Sequence, residues 1–324
     1  MPSLSDWKVP EALQPKPGDY SFDLDSALAS VVGLRATIPA DAFTAETLGT
    51  ERAGSGVLIR QGVVLTIGYL VTEAESVWLS LSDGRTVPGH VLAYDQETGF
   101  GLVQALARID LPALPVGDSG AADLAERVVV GGAGGRAHSL AARIVAKQEF
   151  AGYWEYVLDE AIFTAPAHPV WGGTALIGTA GELLGIGSLQ LAQAGEGGST
   201  GHLNMVVPID LLKPILNDLL TIGRPNRPPR PWLGLYATEV EEHIVVMGLA
   251  GRGPAQQAQV QTGDIILAVA DTEVNDLASL FRRVWSLGQA GVEVPLRIYR
   301  DGRLLDVRIR SADRNQFLKA PRLH

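Results

Sequence analysis

The chain contains no cysteine. That one absence excludes a disulfide framework, a thiolate zinc site and a thiol nucleophile, and it leaves the redox compartment open. Aromatic residues are few, at 6%. No run reaches the roughly 18 apolar residues of a membrane-spanning helix; the best stretch, Met205–Gly223, is interrupted by Asp210, Lys213 and Pro214. The amino-terminal MPSLSDWKVPEALQPKPGD has neither a basic start nor an apolar core. No signal peptide is read there, so a cytoplasmic location is expected, or a periplasmic one if an upstream signal has been removed. Positive charge is also short: 26 Lys+Arg stand against 36 Asp+Glu, a net of −10. An acidic surface repels a duplex, which excludes nucleic acid as the expected partner.

What is present is the composition of a folded protein, with 46% hydrophobic residues and 37 glycines in 324 residues, enough chain for two domains. The clearest seam is Gly223-Arg-Pro-Asn-Arg-Pro-Pro-Arg-Pro231, where four prolines remove backbone donors and hold the chain extended. Charge divides at the same place. Residues 1–223 carry 12 basic against 25 acidic side chains, and residues 224–324 carry 14 against 11. Ahead of the seam, short β-branched runs set off by glycine predict strands at Gly54–Ile59, Val63–Thr66, Ser76–Leu81, Val128–Val130, Arg143–Val145, Leu183–Ile186 and Met205–Val207. Many short strands with close turns point to an antiparallel barrel or sandwich. Helices are expected near Asp25–Leu34 and over Ile209–Leu220. After the seam, strands at Ile244–Leu249 and Asp264–Val269 precede Leu277, Leu280, Phe281, Val284 and Trp285, spaced as one helix face and capped by Asn275 or Asp276. Two alternating runs around Arg300-Asp-Gly-Arg303 then form a hairpin, which completes a compact α+β module.

In their order and spacing these landmarks resemble the HtrA (DegP-like) family of serine proteases, from about Ala53 to Arg314. The strings that carry the resemblance are AGSGVLI at 53–59, VVLTIGYLVTEAESVWLSLSDGR at 63–85, LAYDQETGFGLVQA at 92–105 and LPALPVGDSG at 111–120. They continue with HPVWGGTALIGTAGELLGIG at 168–187, MVVPIDLLKPIL at 205–216, PWLGL at 231–235 and GPAQQAQVQTGDIILAV at 253–269. The resemblance implies a mainly β chain: a trypsin-like double β-barrel at 51–222 after an amino-terminal segment at 1–50, a Pro-rich linker at 223–231, a PDZ domain at 232–314 and a tail at 315–324. It also implies a homotrimer formed through the segment carrying Tyr20 and Phe22, although those rings serve equally to cover their own barrel.

The family's chemistry needs a serine nucleophile, a histidine base and an aspartate that orients the histidine. The string that should hold the histidine, Thr66-Ile-Gly-Tyr-Leu-Val71, places Tyr69 there. Asp95-Gln-Glu-Thr98 is followed by Gly99 where the family has its aspartate. His168-Pro-Val-Trp-Gly-Gly-Thr-Ala-Leu176 places Gly172 at the serine. No histidine precedes His90 and no serine lies between Ala151 and Gly187, so a small shift of register restores nothing. Val170 replaces the glycine two places before the serine, leaving the amides of Gly172 and Gly173 as the remaining oxyanion donors. An inactive homologue is therefore expected, without cofactor, whose partner is a protein or carboxyl-terminal peptide. The peptide would be held by Trp232, Leu233, Gly234 and Leu235, with Leu280 and Val284 walling the groove. Two alternatives stay open: a working endopeptidase with a non-standard site, and a barrel that binds a metal or small ligand through His138, His168 and His202. His168 and Trp171 beside the vacant position read more simply as loop and filling residues, Ser119 and Ser188 as structural, and Gly131–Arg136 as a tight turn rather than a phosphate loop.

Overall fold

Glycine-punctuated apolar runs close into two barrels. The structure, a computed structural model, describes residues 7–194 and 200–319. Its described residues divide into two compact units. One runs to Gln148 and includes Glu160–Asn226; the other comprises Glu149–Asp159 and Arg227–Lys319.

In the first unit, β1 (Val31–Thr37), β2 (Glu51–Arg60), β3 (Val63–Ile67), β4 (Ser76–Ser80), β5 (Thr86–Tyr94) and β6 (Phe100–Ala105) form a closed barrel in the order β1-β2-β3-β6-β5-β4. A second closed barrel, β10-β11-β12-β9-β8-β7, is built from β7 (Arg127–Gly131), β8 (Ser139–Gly152), β9 (Tyr156–Ala165), β10 (Ala175–Ile177), β11 (Leu183–Ala194) and β12 (Thr200–Pro208). Closure removes sheet edges, and the inward positions of each strand fill the barrel with Val, Leu and Ile.

Three short helices accompany the barrels: α1 (Leu24–Ala29), α2 (Ala45–Leu48) and α3 (Leu216–Ile222). Two sequence expectations change here. The helix expected to Leu34 ends at Ala29, because Val31 and Val32 are β-branched and pair with Val57 and Gly56 across β2. The helix expected from Ile209 is a 3₁₀ turn over Ile209–Leu211 before α3; Pro214 has no N–H to continue it.

The second unit is a sheet in the order β13-β14-β15-β17-β18, formed by β13 (Leu235–Val240), β14 (His243–Leu249), β15 (Ile265–Val269), β17 (Glu293–Arg300) and β18 (Arg303–Arg310). The short β16 (Thr272–Glu273) pairs with β15. Helices α4 (Pro254–Gln257) and α5 (Leu277–Ser286) complete it. Asp276 caps α5 through the Ser279 amide at 2.6 Å, within a reciprocal capping box. Leu277, Leu280, Phe281 and Val284 bury that helix against the sheet. The unit reaches beyond the sequence boundaries. Arg314–Phe317 coil into a 3₁₀ turn whose Phe317 ring packs 4.9 Å from Trp232, so part of the expected tail is structural. Glu149–Asp159, the tip between β8 and β9, belongs to this unit as well. No helix among the described residues is long and apolar enough to cross a membrane.

Candidate functional site

Tyr69 lies on a 3₁₀ turn, Gly68–Leu70, directly after β3. A buried network fixes that turn. The Arg52 guanidinium donates to the Tyr69 and Thr72 carbonyls at 2.7 and 3.0 Å and to Thr44 Oγ1 at 2.8 Å. Thr44 Oγ1 in turn donates to the Glu73 carboxylate at 2.6 Å. With its backbone held, the phenol points across to the second barrel and donates to the Ser188 carbonyl at 2.8 Å. Burial pushes its pKa up, and a hydrogen bond with the Trp171 side chain only partly opposes that. The phenol therefore stays protonated at neutral pH, a donor rather than a base.

Gly172 faces the same hydroxyl. A Cβ at this position would lie 2.8 Å from Tyr69 Oη and 3.7 Å from both Leu70 methyl carbons. The tyrosine thus fills the room a serine side chain would need. Gly99 closes the group: its carbonyl accepts from the Gly68 amide at 2.6 Å and its amide donates to the Asp95 carbonyl at 2.8 Å. Its φ of +82° suits glycine and strains most other residues. The Asp95 carboxylate is occupied within its own turn, accepting from the Thr98 amide and hydroxyl at 3.0 and 2.8 Å. The fold thus brings Tyr69, Gly99 and Gly172 into one place, and their side chains supply one phenol.

Two backbone donors nearby, the amides of Val170 and Gly173, are turned inward. The Val170 amide donates to His168 Nδ1 at 3.1 Å. The Gly173 amide, expected to be free for an oxyanion, donates to the Gly187 carbonyl at 2.8 Å; that expectation is corrected by the β-type pairing of this segment. His168 is 1% exposed. Its Nε2 donates to the His138 carbonyl at 2.9 Å, Asn204 brackets its backbone, and Trp7 meets its ring edge-on at 5.4 Å. Burial lowers its pKa, so it is a neutral core histidine with both nitrogens engaged. No three His, Asp or Glu side chains gather to hold an ion among the described residues, which corrects the metal alternative built on His138, His168 and His202. An open cavity of about 790 Å³ borders His138, His168, Val170, Arg35 and Trp78. Ser119 Oγ accepts from the Asp210 amide, a structural role. Phe22 packs over Gly181, and Ser21 beside it donates to the Thr179 carbonyl, so this segment covers its own barrel.

In the second unit, the loop before β13 turns three consecutive amides toward one point. Gly234, at φ +72°, permits the turn. Leu233, Gly234 and Leu235 all donate to the Glu155 carboxylate, at 3.0, 2.7 and 3.2 Å. Burial pushes this carboxyl up to about 7 against the pull of those amides. The Leu280 and Val284 side chains are buried in the same apolar cluster as Leu233, Leu235 and Val157. Trp232 does not present a free face. It is 6% exposed, its backbone pairs with Ala312 and its indole packs on Phe317, so it anchors the loop. Sequence reasoning missed Glu155. The signal was Phe150, Tyr153, Trp154 and Tyr156 crowded around one acid in a chain with few aromatics.

Comparison with known proteins agrees with this architecture. Residues 54–186 match the trypsin-like peptidase domain and residues 231–310 the PDZ domain. The chain is 24% identical to the serine protease Do-like HtrA of Lactobacillus helveticus, over 81% of this chain and 69% of that one. It is 28% identical to the periplasmic pH-dependent serine endoprotease DegQ of Escherichia coli, over 80% and 59%. A third relative, the probable periplasmic serine endoprotease DegP-like of Pseudomonas putida, is 30% identical over 80% and 56%. The chain thus spans between about half and three quarters of these relatives' lengths. Among solved structures, the HtrA-type protease AlgW with a tripeptide aligns over 93% of this chain and 99% of its own, with a TM-score of 0.52 and 20% identity. The serine endoprotease from Yersinia pestis aligns over 90% and 98%, at 0.52 and 22%. At such identities these structures speak for the fold.

Proposed function

The chain belongs to the HtrA-like family, with a trypsin-like peptidase domain followed by a PDZ domain, and we propose that it is a member that binds rather than cleaves. The observation that carries this reading is the Tyr69 hydroxyl 2.8 Å from where a Gly172 side chain would begin. Without a nucleophile or a base, and with the Val170 and Gly173 amides already bonded, acyl transfer has no starting group. What remains is the second unit, whose three convergent amides and edge strand β13 are suited to an extended peptide ending in a carboxylate. The protein then acts as a scaffold or regulator that holds a protein partner by its terminus. The periplasmic names of two of these relatives favour action outside the cytoplasm.

The names of the relatives also favour the rival reading, an endopeptidase with a non-standard site. Incubation with unfolded casein and with a fluorophosphonate probe separates the two. We expect neither cleavage nor labelling; labelling of any serine together with casein turnover overturns the binding reading of the first unit.

A further inference from the structure

The carboxylate-holding loop of the second unit already has an occupant. Glu155 approaches it from the tip between β8 and β9, 78 to 80 positions earlier in sequence than the amides it meets. The same short segment engages the other recognition features of the unit. The Tyr153 carbonyl accepts from the Ala237 amide at 3.1 Å, on β13, which is the outermost strand of its sheet. Val157, 9% exposed, is buried in the apolar cluster that contains Leu280 and Val284 of α5. Arg282, also on α5, pairs with Glu149 and with Asp159, both at 2.5 Å, and so clasps the two ends of the tip.

Anion, edge and apolar wall are the three things an incoming peptide needs. We propose that residues 149–159 are a built-in competitor for the peptide groove, with the Glu155 side chain standing in for the terminal carboxylate of a ligand. The proposal rests on the reading of this unit as a peptide-binding module and adds its regulation. Three amides aimed at one point hold one carboxylate, so a ligand's terminus and Glu155 exclude each other. The tip is also built to leave. Glu155 sits at φ +61°, a region that side-chain-bearing residues occupy at a cost. Its clasp consists of ion pairs whose arginine is nearly half exposed, and such pairs hold weakly. The ligand selected by this groove is a chain end whose free carboxylate and adjacent apolar residue outcompete Glu155 and Val157.

The test uses the full chain and a library of decapeptides displayed with free carboxyl termini, alongside the same library amidated. Wild type, Glu155→Ala and Glu155→Gln are compared, the glutamine keeping one acceptor oxygen should the alanine variant fold poorly. We expect at least one variant to bind carboxylate-ended peptides at least tenfold more tightly than wild type, with no gain for amidated ones. Hydrogen exchange should also show residues 149–159 losing protection when peptide binds wild type. Equal affinity in wild type and both variants, with the tip still protected in the complex, refutes the competitor and leaves peptide binding standing. No carboxylate-dependent binding by wild type or either variant refutes the peptide-binding reading itself, and the competitor with it.

Discussion

Placing a serine at position 172 should destabilise the protein rather than add a working nucleophile. In Gly172→Ser the new Cβ would lie 2.8 Å from Tyr69 Oη, several tenths of an ångström inside normal carbon–oxygen contact. The backbone at 172 imposes no left-handed strain, because Gly172 is absent from the positive-φ positions. Relief must therefore come from the phenol. The phenol is held by the Ser188 carbonyl at 2.8 Å, and its main chain by Arg52 at 2.7 Å. Pushing it aside weakens a buried hydrogen bond and leaves an acceptor unsatisfied, a loss of about 1–3 kcal/mol. Overpacking adds a similar amount when the surroundings cannot yield. We expect a total of about 2–6 kcal/mol, or roughly 4–24 °C in the calorimetric midpoint of a unit of this size. Tyr69→Phe alone should cost about 1–3 kcal/mol, since it strands the Ser188 carbonyl. In the double variant the serine enters the space vacated by the hydroxyl, so the two losses should fall short of additivity by about 1 kcal/mol or more. A Gly172→Ser midpoint equal to wild type, or strictly additive losses in the cycle, would refute the claim that the tyrosine fills the serine's space.

Further outcomes follow from the same contacts. Gly99→Asp should lower the midpoint, because φ +82° disfavours a side chain by about 1 kcal/mol. The triple variant Tyr69→His, Gly99→Asp, Gly172→Ser should still fail to cleave casein, since the Val170 and Gly173 amides stay turned to His168 and Gly187. His168→Ala should cost about 2–3 kcal/mol by stranding the Val170 amide and the His138 carbonyl, and metal analysis should find no ion lost with it. The docked tip should loosen as pH rises. The Glu155 carboxyl goes from about 4.5 when released to about 7 when docked, so the docked state is the one that holds a proton between those values. Docking is then strongest below about 4.5, weakens by about 3 kcal/mol through the interval and stays level above 7. Arg314 is the charged neighbour that opposes this shift. Hydrogen exchange at the Leu233, Gly234 and Leu235 amides from pH 5 to 8, corrected for intrinsic rates, should show protection falling with pH; protection that rises would reverse the sign of the argument.

How far the sequence reveals this molecule depends on how local the information is. Strands such as β3 and β7 are visible because β-branched residues run together between glycines. The capped face of α5 is visible for the same local reason, its Leu277, Leu280, Phe281 and Val284 falling one helical turn apart. The residues Tyr69, Gly99 and Gly172 can each be picked out from their flanking strings. Their interdependence cannot, because the contact of the Tyr69 hydroxyl with Gly172 joins the two barrels across more than a hundred residues. The inward turn of the Gly173 amide depends on its pairing with Gly187 and was equally out of reach. The tip at 149–159 is the plainest case. No local pattern there singles out Glu155 as a partner for distant amides, and only those of Leu233–Leu235 give it a purpose.

The two units treat their backbone donors differently, and this difference is the reason to look for function in the second. In the first, the Val170 and Gly173 amides are bonded to neutral partners, an imidazole nitrogen and a carbonyl. Those partners gain nothing by leaving, since each would expose a buried polar group. In the second, three amides hold a carboxylate that is fully buried, ionisable and placed at a strained backbone angle. Taking a charge out of water costs energy that its hydrogen bonds only partly return. The Glu155 contact is consequently the more easily exchanged of the two, and what best replaces it is another carboxylate carried by a chain that adds a strand to β13. On the proposed reading, the second unit responds to a peptide by giving up a group of its own.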